Sequence, residues 1–336
     1  MRTIKIILLC ILLAASLAGC GKADAFPSKT VTMVVPYSAG GTTDLAGRAL
    51  AEALEQELGV TVVVENKAGA SGAIGTEAVL DAKHDGYTLL LSADSLGTQR
   101  VMGLSDCSYH DFTVLSPVTN DPKVIVVSAE SEYETIDDLL DDMKARPGKV
   151  QMSYTGPGGS GHVQALIYNK LGYDMALTAY AGGKDCIVSV LGGDTQFTNS
   201  NYSTVRPYLE ADSLRLLAVS DSNRLADCPE IPTLAEIIPG SADLFRTEFT
   251  PLTLLVPADT PEDRTAVLRE ATEKALRSEA FLAYATENSL DCLFEKYDTP
   301  EKQEAFYTNW ESTVSWLLYD AGAAQKSPEE FSIPRP

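Results

Sequence analysis

The same local pattern occurs twice in this chain and restricts the possible folds more than any other feature. An apolar, strand-like run is followed by a glycine-rich loop and then by apolar residues at helical spacing, first over residues 30–58 and again over residues 149–171. Strand, tight loop and helix in this order are typical of open α/β sheets. In such sheets ligands bind at the carboxyl ends of the strands, which is where both loops fall.

Predicted strands and helices continue to alternate along the rest of the chain. The first pattern predicts a helix from Asp44 to just before Gly59, and the second predicts a helix over residues 163–171. The other predicted strands are 60–64, 87–91, 124–127, 176–179, 195–198, 214–219 and 252–256, and the other predicted helices are 73–82, 136–144, 185–191, 261–276 and 301–319. This alternation predicts parallel sheets with helices on their faces. No low-complexity linker separates the halves, so we expect the chain to cross between two domains and return.

The N-terminus has the features of an export signal. Basic Arg2 and Lys5 precede an apolar run over residues 6–17, and Cys20 follows shortly after it. The run is too short to span a bilayer of about 30 Å. The order resembles a bacterial lipobox, which implies a signal peptide over residues 1–19, acylation of Cys20 and a tether over residues 20–25. An ordinary signal peptide and an uncleaved anchor are the alternatives.

Composition narrows the function classes further. The formal net charge of −21 disfavours nucleic acid and anionic lipid as partners. The histidines and cysteines lack metal-ligand spacing, so we expect neither a metal nor another cofactor. Outside the cytoplasm the cysteines after Cys20 either form disulfides or remain free thiols, and their spacing leaves this open. These cysteines are Cys107, Cys186, Cys228 and Cys292.

The two glycine-rich loops are the candidate ligand site. Glycine permits positive φ angles and a close approach of the backbone, and a helix N-terminus offers unpaired N–H groups with a partial positive charge. Together these features form an anion site that needs no lysine or arginine, which suits an acidic protein. The alternative is a tight turn before a capped helix, because Thr43, Asp44 and Ser160 are ordinary N-cap residues. Two matched loops in one exported chain favour a binding site.

The enzyme motifs in these loops are incomplete. Gly156, Gly158 and Gly161 fit the dinucleotide pattern G-x-G-x-x-G, but the acidic residue expected downstream falls in a predicted turn instead of at a strand end. Ser160 and His162 are close in sequence, yet neither a G-x-S-x-G elbow nor a third residue accompanies them. An exported hydrolase that uses Ser160 therefore stays only as an alternative.

Several short segments occur in the order typical of one family of binding proteins. They are VVPYSAGGTTD at 34–44, VENKAGASG at 64–72, DGYTL at 85–89, GPGGSGH at 156–162, YAGG at 180–183, LRLLAV at 214–219 and IPTLAE at 231–236. Each segment alone is a weak signal, whereas the ordered set is specific. Over nearly the whole mature chain, it resembles the extracytoplasmic substrate-binding proteins of tripartite tricarboxylate transporters, often called the Bug family.

This resemblance implies an α/β fold with two domains of the periplasmic-binding-protein type, a Venus flytrap with a ligand cleft between the domains. Residues 26–120 plus 229–336 would form domain 1, and residues 121–228 would form domain 2. The resemblance also implies a monomer without catalytic activity, a small carboxylate ligand, integral membrane transporter subunits as partners, and attachment to the outer side of the cell membrane by the lipid anchor. The residues expected to bind the ligand, by match to the family's motifs, are Tyr37, Gly40, Gly41, Thr43, Asp44, Ser92, Thr155, Gly158, Gly159, Ser160, Tyr180, Gly182 and Asn201.

Two questions stay open at this level. Asp44 either caps the first helix or accepts a hydrogen bond from the ligand or a water. Residues 199–201 depart from the family's usual run near the expected ligand, so the identity of the ligand stays open; Ala68 and the absence of a tryptophan at 246–250 are further departures. A sensor module of the same fold, serving a signalling partner, is the alternative to a transport role.

Overall fold

The computed structural model describes residues 26–221, 223–245 and 250–336. The predicted signal peptide, the lipidation site Cys20 and the tether lie outside the described residues. Within the described residues the strands form two sheets, on which the helices pack.

The strands are β1 (Val31–Val35), β2 (Val62–Asn66), β3 (Thr88–Ser92), β4 (Phe112–Asn120), β5 (Lys123–Ser128), β6 (Gln151–Tyr154), β7 (Ala176–Ala179), β8 (Phe197–Asn201), β9 (Leu214–Val219), β10 (Pro251–Pro257) and β11 (Asp291–Cys292). The helices are α1 (Thr42–Leu58), α2 (Ala73–Leu80), α3 (Ile136–Ala145), α4 (Ser160–Lys170), α5 (Gly183–Gly192), α6 (Tyr202–Glu210), α7 (Leu234–Ile237), α8 (Glu262–Leu276), α9 (Glu279–Glu287), α10 (Leu293–Lys296) and α11 (Pro300–Asp320). Short 3-10 helices include Asp94–Gly97, directly after β3.

Both sheets are mixed, so the prediction of purely parallel sheets is wrong. The first sheet has the order β11-β4-β10-β3-β1-β2, and the second has the order β7-β6-β8-β5-β9. β1 is parallel to β2 and β3, and β6 is parallel to β7 and β8, whereas β10 and β5 are antiparallel to both of their neighbours. β5 and β10 are the first strands after the chain crosses from the other sheet. They enter at the edge where the parallel strands end, so they run in the opposite direction.

The core of the first sheet shows why β1 has a continuous apolar run. Val31, Met33 and Val35 pack in one buried cluster with α1 and α8, while Val34 packs on the other face with Leu90 of β3. Side chains alternate between the faces of a strand, so a strand that is covered on both faces is apolar throughout.

The C-terminal helix α11 supports the segment that follows β3. Both tryptophans of the chain, Trp310 and Trp316, lie in this helix. Trp310 is buried against Gly97, where an added Cβ would lie 2.8 Å from Cζ3 of the indole ring. Residues Asp94–Gly97 are therefore held from behind by an aromatic side chain.

Six regular elements are absent from the sequence-based prediction: β4, β11, α6, α7, α9 and α10. β4 contains Pro117 and polar residues, which hide its strand character, and its pairing with β10 shifts register on both sides of Pro117. Proline is tolerated in strands at such irregularities. α6 contains Pro207 and begins directly after β8, and β8 itself extends through the polar residues 199–201.

The cysteine question is answered for the described residues. Cys107, Cys186, Cys228 and Cys292 are all free thiols, and the first two are buried. Among the described helices, none combines the length and the apolar character needed to cross a membrane. No cluster of three or more metal-ligating side chains occurs within the described ranges.

Candidate functional site

The carboxyl ends of parallel strands from both sheets meet at one small cavity of about 40 Å³. The loop after β1, the segment after β3 and the loops after β6 and β7 all reach it, together with the start of β5 and the end of β8. The lining residues are Tyr37, Gly41, Thr42, Thr43, Ala93, Asp94, Lys123, Thr155, Ser160, Gly182, Gly183, Asn201 and Thr250.

The structure brings seven of the predicted site residues together in this wall. They are Tyr37, Gly41, Thr43, Thr155, Ser160, Gly182 and Asn201. The other predicted residues shape the loops or lie next to them without lining the cavity: Gly40, Asp44, Ser92, Gly158, Gly159 and Tyr180. The lining residues that sequence reasoning missed are Thr42, Ala93, Asp94, Lys123, Gly183 and Thr250.

Asp44 holds the first glycine loop through a hydrogen bond to the loop's backbone. Its Oδ2 accepts the N–H of Gly40 at 2.8 Å, and Arg48 and Asn66 also donate to its carboxylate. Burial would raise the pKa of Asp44, but the hydrogen bonds from Arg48, Gly40 and Asn66 hold that pKa below its usual value. All these partners belong to the protein and no side chain caps α1, so the geometry favours a role for Asp44 in holding the glycine loop over both capping and contact with a ligand.

The N-termini of α1 and α5 are open to the cavity. Their N-cap residues are Gly41 and Gly182, and no side chain caps either helix. The first N–H groups of a helix have no partner within the helix and carry partial positive charge. The wall therefore attracts anions from two directions.

The N-terminus of α4, by contrast, is already occupied by a carboxylate of the protein. Asp94 accepts a hydrogen bond from the N–H of Ser160, the first residue of α4, and the Ser160 hydroxyl also interacts with it. Burial raises the pKa of Asp94, against the opposing effect of the nearby Lys123 charge. The helix after the first glycine loop is thus uncapped, whereas the N-terminus after the second glycine loop holds Asp94, so the second loop does not present the open anion site that was expected.

A buried lysine also lines the cavity, whereas the sequence analysis expected an anion site without basic residues. Lys123, the first residue of β5, is 3% exposed, and its Nζ donates to Oδ1 of Asn201 at 2.9 Å. Within the described residues no carboxylate oxygen lies within 4.0 Å of this ammonium. Burial lowers the pKa of Lys123, while Asp94 and Asp121 oppose that effect. In the sequence, the only indication that Lys123 belongs to the site was its position directly before a predicted strand.

Asp121 connects the two sides of the cleft behind the cavity. Its carboxylate accepts hydrogen bonds from the hydroxyls of Thr42 in α1 and Ser203 in α6, and from the N–H of Ser203 at 3.3 Å. Burial raises the pKa of Asp121 to about 6, even though these hydrogen bonds and Lys123 lower it. Asp121 lies between β4 and β5, at the point where the chain first crosses.

The opposing loops approach each other closely at glycines. A Cβ added to Gly182 would lie 2.7 Å from Cβ of Ser38, which is shorter than real side chains allow. At the second glycine-rich loop, Oγ1 of Thr98 donates to the carbonyl of Gly158 at 2.8 Å, and Gly158 has a φ of 80°. The glycines are therefore needed here for contact between loops as well as for access to a ligand.

The geometry around Ser160 does not form a nucleophile–base pair. Nδ1 of His162 accepts the N–H of Gly158 at 3.1 Å, and the His162 ring packs against Tyr154. Burial lowers the pKa of His162. Because the Ser160 hydroxyl faces Asp94 instead of His162, the hydrolase alternative lacks its activated nucleophile.

A larger groove of about 590 Å³ lies between α11, β4 and the C-terminal residues. Arg100 and Glu311 line it and form an ion pair with each other at 2.8 Å. Among the described elements, no carboxyl end of a parallel strand and no N-terminus of a long helix other than α11 lines this groove, so the smaller cavity is the better candidate site.

Comparison with known proteins agrees with this architecture. Residues 46–305 match the model of the tripartite tricarboxylate transporter family receptor. BugT of Bordetella pertussis is 29% identical over 318 residues, which cover 93% of this chain and 95% of that protein. The solved structure of the periplasmic binding protein BugD has a TM-score of 0.82 at 26% identity and covers 90% of this chain and 100% of its own.

A further solved structure, an R. palustris protein with adipate, has a TM-score of 0.81 and covers 89% of this chain and 99% of its own. At 23% identity it supports the fold alone. The predicted two-domain fold of the periplasmic-binding-protein type is confirmed. The chain belongs to the tripartite tricarboxylate transporter receptor family, a family of extracytoplasmic solute-binding proteins and not of enzymes.

Proposed function

We propose that this protein captures a small carboxylate in the cleft and delivers it to the integral membrane subunits of a tripartite tricarboxylate transporter. One observation carries the proposal: the uncapped N-termini of α1 and α5 and the ammonium group of Lys123 face the same cavity. Helix N-termini and a buried ammonium both favour a bound anion. The R. palustris protein with adipate is an example of this fold with a carboxylate.

The proposed binding residues are the seven predicted residues in the cavity wall, joined by Lys123. We further propose that residues 26–120 plus 229–336 and residues 121–228 are the two domains, and that the ligand closes them by a hinge motion. The chain crossing next to Asp121 supports this division, because β4 belongs to the first sheet and β5 to the second.

Attachment to the membrane is part of the proposal. The lipobox-like order before Cys20 supports acylation of its thiol and retention, as a monomer, on the outer side of the membrane. Labelling of cells with an alkyne fatty acid should tag the wild-type protein and leave Cys20→Ala untagged. Equal labelling of both would contradict the lipid anchor and leave the binding function untouched.

The binding function is tested by thermal unfolding of the purified protein with mono-, di- and tricarboxylates and amino acids. A ligand at 100 times its dissociation constant stabilises a protein by about 2.7 kcal/mol, which raises the unfolding midpoint by a few degrees. We expect stabilisation by a subset of carboxyl-bearing compounds, confirmed by titration calorimetry. No shift with any compound, together with no small molecule in the mass spectrum of the denatured protein, would overturn the proposal.

A further inference from the structure

Two opposite charges line the same small cavity. Lys123 and Asp94 both contribute to its wall, and they are 3% and 7% exposed. An ammonium has three N–H donors, and the described residues supply Lys123 with one acceptor, Oδ1 of Asn201. Removal of such a charge from water without a counter-ion is costly, so the cavity is suited to a ligand that brings an anion to Lys123.

The charge balance disfavours a ligand with two carboxylates. Among the described residues that line the cavity, Asp94 is the only acidic one and Lys123 is the only basic one, while Asp121 lies behind the wall with the hydroxyls of Thr42 and Ser203 bonded to it. A second ligand carboxylate next to Asp94 would place like charges together in a poorly hydrated space, where repulsion is strong. A ligand with no net charge avoids this repulsion.

Asp94 also removes one of the anion-binding positions. Its carboxylate occupies the N-terminus of α4, where an anion from the ligand would otherwise bind. The two open helix N-termini, those of α1 and α5, lie with Lys123 on the rest of the wall. The cavity is therefore divided into a positive part and a part that presents a carboxylate.

On the basis of the proposed function, we propose that the physiological ligand is a compact zwitterion. Its carboxylate binds between Lys123 and the N-termini of α1 and α5, and its ammonium group binds Asp94. Lys123 and Asp94 line one small cavity, so the two charged groups of the ligand must lie close together, as they do in a small molecule. Such a ligand belongs to the amino-acid class.

The test compares compounds of equal chain length that differ only in the second group. Titration calorimetry on the wild-type protein would use series of three to six carbons, each with an amino acid, the matching hydroxy acid and the matching dicarboxylate. In at least one series we expect the amino acid to bind at least about tenfold more tightly than both partners. Equal or tighter binding of the dicarboxylates in every series that binds would overturn this inference and keep the proposed function. A complete lack of binding would overturn both.

Two variants test whether Asp94 causes the preference for an amino acid over a dicarboxylate. Asp94→Asn keeps the shape and one acceptor for the Ser160 N–H, and we expect the ratio of amino-acid to dicarboxylate affinity to fall to about one. Asp263→Asn removes the same charge from the first turn of α8, outside the cavity, and should keep the wild-type ratio. If Asp94→Asn weakens both classes equally, Asp94 only fastens α4 and the inference fails. The wild-type comparison stands on its own if the variant does not fold.

Discussion

Gly41 and Gly182 lie on opposing loops, and a side chain at either position changes the cleft in a different way. A Cβ on Gly41 would lie 3.6 Å from the Ser38 carbonyl oxygen and 3.7 Å from the Gly183 nitrogen, which are ordinary contacts. A Cβ on Gly182 would overlap with Ser38. Gly41 therefore tests the electrostatics of the site, and Gly182 tests how closely the loops can meet.

Gly41→Asp should abolish most of the ligand affinity. The new carboxylate would stand at the N-terminus of α1, where the ligand's own carboxylate is expected to bind. Two like charges about 4 Å apart repel by about 4 kcal/mol at an effective dielectric constant of 20, so we expect a loss of at least about tenfold. Calorimetry measures the change, with Gly41→Ala as the matched control because Gly41 has a φ of −86° and room for a methyl group. Equal affinities of the two variants would contradict an anion site at this helix.

Sequence reasoning found the residues whose role depends on local backbone geometry. Gly41, Gly182 and Ser160 lie in motifs where a strand ends and a helix begins, and these motifs can be read from neighbouring residues. Sequence reasoning missed Asp94 and Lys123, because their role depends on which strands become neighbours in the sheets. Lys123 acquires its place through the antiparallel pairing of β5 with β8, which sets it opposite Asn201.

At the scale of elements, helix α5 serves the cleft with its first turn only. Gly182 and Gly183 reach the cavity, while the end of the helix at Gly192 and Gly193 lies outside its wall. A substitution at Gly182, which faces the opposing loop, can therefore be compared with a matched substitution at Gly192, far from that contact.

Gly182→Ala should weaken ligand binding by at least about tenfold with little change in the unfolding midpoint of the free protein. The methyl group forces the loops after β1 and β7 apart, and even small misplacement of binding groups reduces affinity. Gly192→Ala is the control, because its Cβ would meet only Asp194 Oδ2 at 3.8 Å. Small-angle scattering with saturating ligand should show a more open conformation for Gly182→Ala than for the wild type. Wild-type affinity in this variant would mean that close contact between the loops is not needed.

The sequence predicted most elements and missed β4, an inner strand of the first sheet. β4 has an interrupted apolar pattern because its two faces and its register shifts are set by β10 and β11, which follow much later in the chain. The antiparallel direction of β5 and β10 has the same origin. It depends on the chain crossing between sheets, and no local pattern records that crossing.

At the scale of the whole molecule, Asp121 links folding to protonation. Its folded pKa of about 6 lies above the value of about 3.9 for an unfolded aspartate. The folded state therefore holds the proton more tightly, and this contribution to stability is present below about pH 4 and lost as the pH rises through 6. Two pKa units correspond to a change of about 3 kcal/mol.

Asp121→Asn should remove this pH dependence. The free energy of unfolding of the wild type, relative to the variant, should fall by up to about 3 kcal/mol between pH 4 and pH 7. Urea unfolding at several pH values measures the difference, and the exposed Asp263→Asn should follow the wild type throughout. A difference between wild type and Asp121→Asn that does not vary with pH would show that the carboxylate titrates normally.

The position of the tryptophans in α11 gives the protein its own optical probe. Trp316 packs under Arg335 at the C-terminal end, with its N–H donated to backbone carbonyls, whereas Trp310 touches the segment that carries Asp94. With Trp316 replaced by phenylalanine, the remaining indole emission comes from a single ring behind the cleft. A change in its emission wavelength or intensity would then follow the entry of a ligand in real time, without any label.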